Sequence, residues 1–137
     1  MKKASQILLL VGMILSFVWA ASYFCAGVAF VVGGAVGGTN LPKILAYFGI
    51  DLSEYGLTPE QLQAFTYAFM FTMGGFFILW SGFAIANGVI AYLGRQKQNK
   101  TFYIMNIIFG VLSGVEVNGV GGVFGLFTLP KREEIAE

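Results

Sequence analysis

The chain has 137 residues, 57% hydrophobic and only 11% charged, with a mean hydropathy of +0.76. Soluble domains carry about 25% charged residues, so an ordinary soluble domain, a disordered chain and a coiled coil are excluded. A net charge of +1, no histidine and Cys25 as the single cysteine argue against a polyanion-binding surface, a zinc site and a disulfide framework.

Lys2 and Lys3 open the chain, and no Asp, Glu, Lys or Arg follows until Lys43. A second charge-free tract runs from Gln61 to Gly94. Each exceeds the roughly 20 apolar residues that cross a bilayer as helix, with a surplus for tilt. In hydrocarbon a helix satisfies its own backbone, and a barrel strand would alternate polar with apolar residues, which these tracts do not. The first span is expected over about 4–38. A signal peptide's apolar region runs roughly 7–15 residues, whereas here apolarity continues past Val36, so an uncleaved span is expected. Ser22, Tyr23 and Phe24 before Cys25 do not resemble a lipoprotein processing site.

An outer loop over 39–58 follows. Asn40 can cap a short helix from Leu41 to about Phe48 with Pro42 in its first turn, and Gly49 can end it. Leu41, Ile44, Leu45 and Phe48 would share one face, against the membrane surface or over the bundle. Thr58-Pro59-Glu60-Gln61 is a capping box with proline at the first helical position. It starts a second long helix, about 59–93, that Gly94 is expected to end before a tight polar turn over 95–100.

The last apolar stretch, Phe102 to Leu129, is interrupted by Ser113-Gly-Val-Glu-Val-Asn-Gly119. As one long span it would place Glu116 mid-membrane, at about 2.5–3.5 kcal/mol, and Lys131/Arg132 outside. As two short helices, about 99–113 and 119–131 with Asn118-Gly119 as the turn dipeptide, it avoids both. The positive-inside rule places Lys2/Lys3, Arg95/Lys97/Lys100 and Lys131/Arg132 in the cytoplasm, with the loop bearing Asp51, Glu54 and Glu60 outside. Tyr92 and Tyr103 would flank the basic turn as interfacial aromatics. The expected fold is an all-α membrane protein forming one integral membrane domain over 1–137. It has two long transmembrane helices plus a C-terminal pair of short helices; the alternative is three transmembrane helices. The expected location is the cell membrane, multi-pass, with both termini cytoplasmic.

Small residues recur every seven positions: Ala20, Gly27 and Gly34 in the first helix, Gly74, Ser81 and Gly88 in the second. Such a stripe faces a partner helix and lets backbones approach closely. Gly33/Gly37, Gly34/Gly38, Gly110/Gly114 and Gly121/Gly125 are further pairs four apart. Trp19 and Trp80, near the middle of their tracts, are expected to pack on the glycines. Glu116, with Asn118 and Asn106, is the candidate ion site; otherwise Glu116 is an exposed turn residue on the outer face. No catalytic, cofactor or metal site is expected. Of the seven carboxylates, six lie in loops or the tail, no nucleophile has a visible activating partner, and Gly33 to Gly38 lacks the strand and lysine of a phosphate-binding loop. No basic-aromatic patch points to nucleic acid.

Asn106-Ile-Ile-Phe-Gly-Val-Leu-Ser-Gly114, followed by Gly121-Gly122 and an apolar run, resembles small Gram-positive bacterial membrane proteins of the domain of unknown function 4064 type. The overall layout is similar too. The resemblance implies four membrane segments and brings no catalytic residue. The function expected is a non-catalytic accessory or structural subunit of a membrane complex, or a self-associating membrane protein, with lipid, a membrane-protein partner or further copies of itself as partners. A small transporter or channel using Glu116, and a bacteriocin or toxin immunity protein, are the alternatives.

Overall fold

The charge-free tracts fold as the long helices that their composition requires. A computed structural model describes residues 1–37 and 40–130. Helix α1 covers Lys2–Gly37 and α3 covers Pro59–Lys97; both are long and apolar enough to cross a membrane. Their 36 and 39 residues extend about 54 and 58 Å. Among the described residues the remaining elements are also helical. They are α2 (Leu41–Tyr47), a 3-10 turn (Leu52–Tyr55), α4 (Lys100–Ser113) and α5 (Glu116–Leu126).

The ends of these helices follow local chemistry. Gly49 adopts a φ of 73°, and the amides of Gly49 and Ile50 return to the carbonyls of Ala46 and Leu45, closing α2 with a Schellman motif. The side-chain amide of Asn40, just before α2, donates back to the Val36 carbonyl at 3.3 Å. At the start of α3 the capping box is reciprocal. Gln61 N donates to Thr58 Oγ1 at 3.2 Å, and Thr58 N donates to Gln61 Oε1 at 3.0 Å. Asn99 caps α4 by accepting from Phe102 N at 3.0 Å.

Two boundaries differ from the sequence expectation. Gly94 does not end α3, which continues to Lys97 before Gln98 takes a φ of 48°. Glycine is needed at 94 because a Cβ would lie 2.5 Å from Asn106 Nδ2. Asn118-Gly119 is not the turn between the short helices. Gly114, with a φ of 73° and its amide bonded to Val111 O, terminates α4, and α5 already begins at Glu116. Asn118 is drawn into α5 because its side chain has an interior partner, described below.

The chain divides into two compact units, Met1–Ser22 with Trp80–Glu137, and Tyr23–Leu79. In the first, α1 and α3 run antiparallel, with Gln6 bonded to the Arg95 carbonyl and Ser81 to the Ala20 carbonyl. Helices α4 and α5 form a hairpin held at backbone contact. A Cβ on Gly110 would lie 2.6 Å from Gly119 N, and one on Gly122 would lie 2.5 Å from Tyr103 O. Gly121 abuts Leu8 and Leu9, Gly125 lies on the Tyr103 ring, and Gly88 lies on the Phe17 ring. Leu9, Ala91 and Tyr103 form the apolar centre, with Met13, Leu126 and Leu129 around it. Tyr103 is therefore a core residue. The hairpin returns the chain to the end where it began, since Tyr103 meets the hydroxyls of both Ser5 and Thr128. Lys131 and Arg132 lie outside the described residues.

In the second unit, α1 and α3 pack through the expected stripe. A Cβ on Gly27 would fall 2.7 Å from Ile78 Cγ1 and 2.9 Å from the Gly74 carbonyl; Gly34 meets Met70. Phe77 stacks between Tyr23 and Phe30, with ring centroids 6.1 and 5.5 Å away. The glycines of both units thus pack against Leu9, Phe17, Val31, Met70, Ile78 and Tyr103, while Trp19 is exposed. Gly33 approaches Met70 Cε, Gly37 has open space, and Gly114 is an exposed cap and not a packing residue. Gly38 lies outside the described residues.

Replacing Gly27 with Leu is expected to cost about 1–3 kcal/mol through overpacking. Gly75→Leu, where a Cβ meets nothing within 4 Å, should leave stability nearly unchanged. Thermal unfolding in detergent measures both, and equal midpoints would contradict the packed stripe.

Candidate functional site

Among the described residues, the buried polar side chains are Ser5, Ser16, Ser81, Asn87, Asn106, Ser113 and Asn118. All belong to the unit of Met1–Ser22 and Trp80 onward. Their spacing places them on single helix faces. Ser5, Leu9, Gly12, Ser16 and Ala20 follow one another at steps of three or four on α1, as do Ser81, Ala84, Asn87, Ala91 and Gly94 on α3. On α4 the face is Tyr103, Asn106, Gly110 and Ser113, and every one of these residues is buried.

Four helices meet at one polar cluster. Ser16 Oγ donates to the Gly12 carbonyl at 2.7 Å, one turn back on its own helix. Its lone pairs accept from Asn87 Nδ2 of α3 at 3.1 Å and from Asn118 Nδ2 of α5 at 3.0 Å. Asn87 Nδ2 also donates to Ser113 Oγ of α4 at 2.8 Å, and Ser113 in turn donates to the Phe109 carbonyl at 2.7 Å. Each hydroxyl gives its proton to its own helix and is left as an acceptor, which is what an asparagine NH2 requires. Gly12 completes the fit, because any Cβ there would overlap Asn118 Oδ1.

Two further side chains bond along the same seam. Asn106 Nδ2 donates to the Ile90 carbonyl at 3.2 Å and to the Phe102 carbonyl at 2.8 Å, tying α4 to α3. Ser5 Oγ donates to the Gly121 carbonyl at 2.8 Å, tying α1 to α5. The Oδ1 atoms of Asn87, Asn106 and Asn118 are buried without a hydrogen-bond partner among the described residues. Amides and hydroxyls do not titrate near neutral pH, so the chemistry of the seam is hydrogen bonding and not proton transfer.

The three residues of the candidate ion site are not brought together. Asn118 and Asn106 are fully buried in the seam, whereas Glu116 is exposed in the first turn of α5. Two residues of α-helix turn the chain by about 200°, so Glu116 and Asn118 project to different sides. Glu116 instead borders an open apolar groove with Ile107, Val111, Val120 and Val123. Its charge is favourable at the positive end of the α5 dipole. Among the described residues, no group of three His, Cys, Asp or Glu could hold a metal ion.

Sequence reasoning missed Ser16, Asn87 and Ser113 as partners. The available signal was the three-four spacing of polar and small residues on each helix. The chain matches no family model, no curated protein and no solved structure.

Asn87→Ala should cost about 1–3 kcal/mol, because it removes both donors and leaves buried hydroxyls short of partners. Ser22→Ala, whose exposed hydroxyl bonds to its own helix at Val18, should change stability little. Denaturant titration in mixed micelles compares the two, and an equal effect would deny the cluster its role.

Proposed function

We propose that this protein is a non-catalytic integral membrane protein that serves as an accessory or structural subunit of a membrane complex or associates with itself. The observation that carries the reading is the use of the intramembrane polar side chains. Ser16, Asn87, Ser113 and Asn118 bond to one another across four helices, which is how polar residues hold membrane helices together. The outer surfaces of α1 and α3 are apolar, with Val32, Phe65 and Leu79 among the exposed side chains. Kinship with the domain of unknown function 4064 proteins is part of the same proposal and rests on residues 106–122.

Topology follows from charge. Lys3 and Arg95 line one groove, so the first two basic clusters share an end, and the positive-inside rule assigns that end to the cytoplasm. The hairpin of α4 and α5 returns the described chain, at Thr128, to the end where α1 begins; on this reading the C-terminus is cytoplasmic as well. With 14 and 11 residues these helices extend about 21 and 16 Å, less than a hydrocarbon core of about 30 Å. The pair would enter from the cytoplasm and turn within the membrane, shielded by α1 and α3. Glu116 then lies near the height of Ser16, about 21 Å along α1 from Lys2. Side chains lean toward a helix N-terminus, so its carboxylate would extend toward the outer interface. A transport pathway through Glu116 would need the seam amides and this acid to line one route, and they face different ways.

Alkaline carbonate should leave the protein in the membrane pellet. In a Cys25→Ser background, Glu54→Cys should react with a membrane-impermeant thiol reagent in intact cells, and Gln98→Cys should react only after lysis. Carbonate release would overturn the membrane reading, and the reverse labelling pattern would overturn the orientation. Affinity purification in mild detergent then separates a stoichiometric foreign partner from a homo-oligomer; a monomer accompanied by ion flux in liposomes would reject the scaffold role.

A further inference from the structure

We propose that the end of the unit where α1 begins and α3 finishes binds the anionic headgroup of a membrane phospholipid. Lys3, Gln6 and Arg95 are the recognising residues, and the inference rests on the membrane reading above. These three line an open groove of about 210 Å³ together with Ile7 and Leu10. Gln6 Nε2 donates to the Arg95 carbonyl at 3.4 Å, which fixes α1 against α3 at the groove wall.

The net charge of +1 conceals the asymmetry of this end. Among the described residues of this unit the cationic side chains are Lys2, Lys3, Arg95, Lys97 and Lys100, and the acid is Glu116. Glu116 stands at the start of α5, whereas Ser5 meets Gly121 in its second half, and Thr128, just past α5, meets Tyr103 as Ser5 does. No acidic residue occupies the first turn of α1. The first amide of α1 to bond within the chain is that of Ser5, to Met1 O, so the preceding N–H groups point outward at the positive end of the helix dipole. Lysines at a positive helix end repel it, and an anion there relieves both. Lys97 is engaged elsewhere, with its ammonium 5.4 Å from the centroid of the Phe102 ring.

The shape selects a lipid over a free anion. Lys3, Ile7 and Leu10 follow one another at steps of four and three along α1, so they share a face. The charged group lies at the helix end and the aliphatic groups one and two turns deeper. A phosphodiester would pair with Lys3 and Arg95 while its acyl chain runs over Ile7 and Leu10, the arrangement by which basic pockets at a cytoplasmic surface hold anionic lipids.

The test uses the full chain in dodecyl maltoside with phosphatidylglycerol or phosphatidylcholine added, read by native mass spectrometry and thermal midpoint. Wild-type protein should retain phosphatidylglycerol roughly tenfold more tightly than phosphatidylcholine. Lys3→Gln/Arg95→Gln should abolish that preference. Lys97→Gln/Lys100→Gln removes the same charge from the same end and should keep it. Should the first variant fail to fold, Lys3→Arg/Arg95→Lys keeps the charge and should keep the preference. The proposal is overturned by equal losses in the two glutamine variants, by loss in the charge-keeping variant, by no preference in wild type, or by inorganic phosphate reproducing the stabilisation. Failure of the membrane reading would be seen separately, as carbonate release of the wild-type chain.

Discussion

A serine that donates to its own helix keeps two lone pairs, and Ser16 in that form joins three helices of the unit, α1, α3 and α5. Its proton goes to Gly12 O, and its lone pairs receive amide donors from α3 and α5. Asn87 extends the connection to Ser113 on α4. These bonds add directional constraint to the apolar packing, since hydrogen bonds decline steeply with angle. Glycines stand where the seam asparagines lie against a neighbouring helix. Gly12 must be glycine because Asn118 lies on its backbone, and Gly94 because Asn106 does.

The two units hold their helices by different means. Around Gly27 and Gly74 the contact is steric, backbone against backbone, with a sequence of stacked rings from Tyr23 through Phe77 to Phe30. Around Ser16 it is polar and neutral. Buried neutral amides cost less than isolated charges would there, and in the proposed bilayer setting the difference would be larger. The three unpartnered Oδ1 atoms of Asn87, Asn106 and Asn118 mark what the arrangement leaves unsatisfied. All donors named in the cluster are directed inward and these acceptors are not paired.

Much of the fold was legible because its signals are local. Charge-free length gave the two long helices, the Thr58–Gln61 box fixed the start of α3, and Gly49 closed α2. The basic clusters argued for a chain that turns back after residue 113, and α4 and α5 do form a hairpin. The errors arose where a residue with turn chemistry has a tertiary partner. Gly94 reads as a helix stop and Asn118-Gly119 as a turn, yet Gly94 receives Asn106 and Asn118 reaches Ser16. Local propensity is silent on whether such a partner exists. The candidate site was half visible: Asn106 and Asn118 were singled out, but their grouping with Glu116 ignored the 200° between positions two apart on a helix.

The central claim is that Ser16 and Asn118 are coupled directly across α1 and α5. A double-mutant cycle with Ser16→Ala and Asn118→Ala, unfolded reversibly in mixed micelles, measures that coupling with other losses cancelled. The account predicts a favourable interaction of about 0.6 kcal/mol or more, the average for interhelical hydrogen bonds in membranes, whose largest values reach about 1.7 kcal/mol. Single-variant losses that simply add, leaving a coupling of zero, would contradict it.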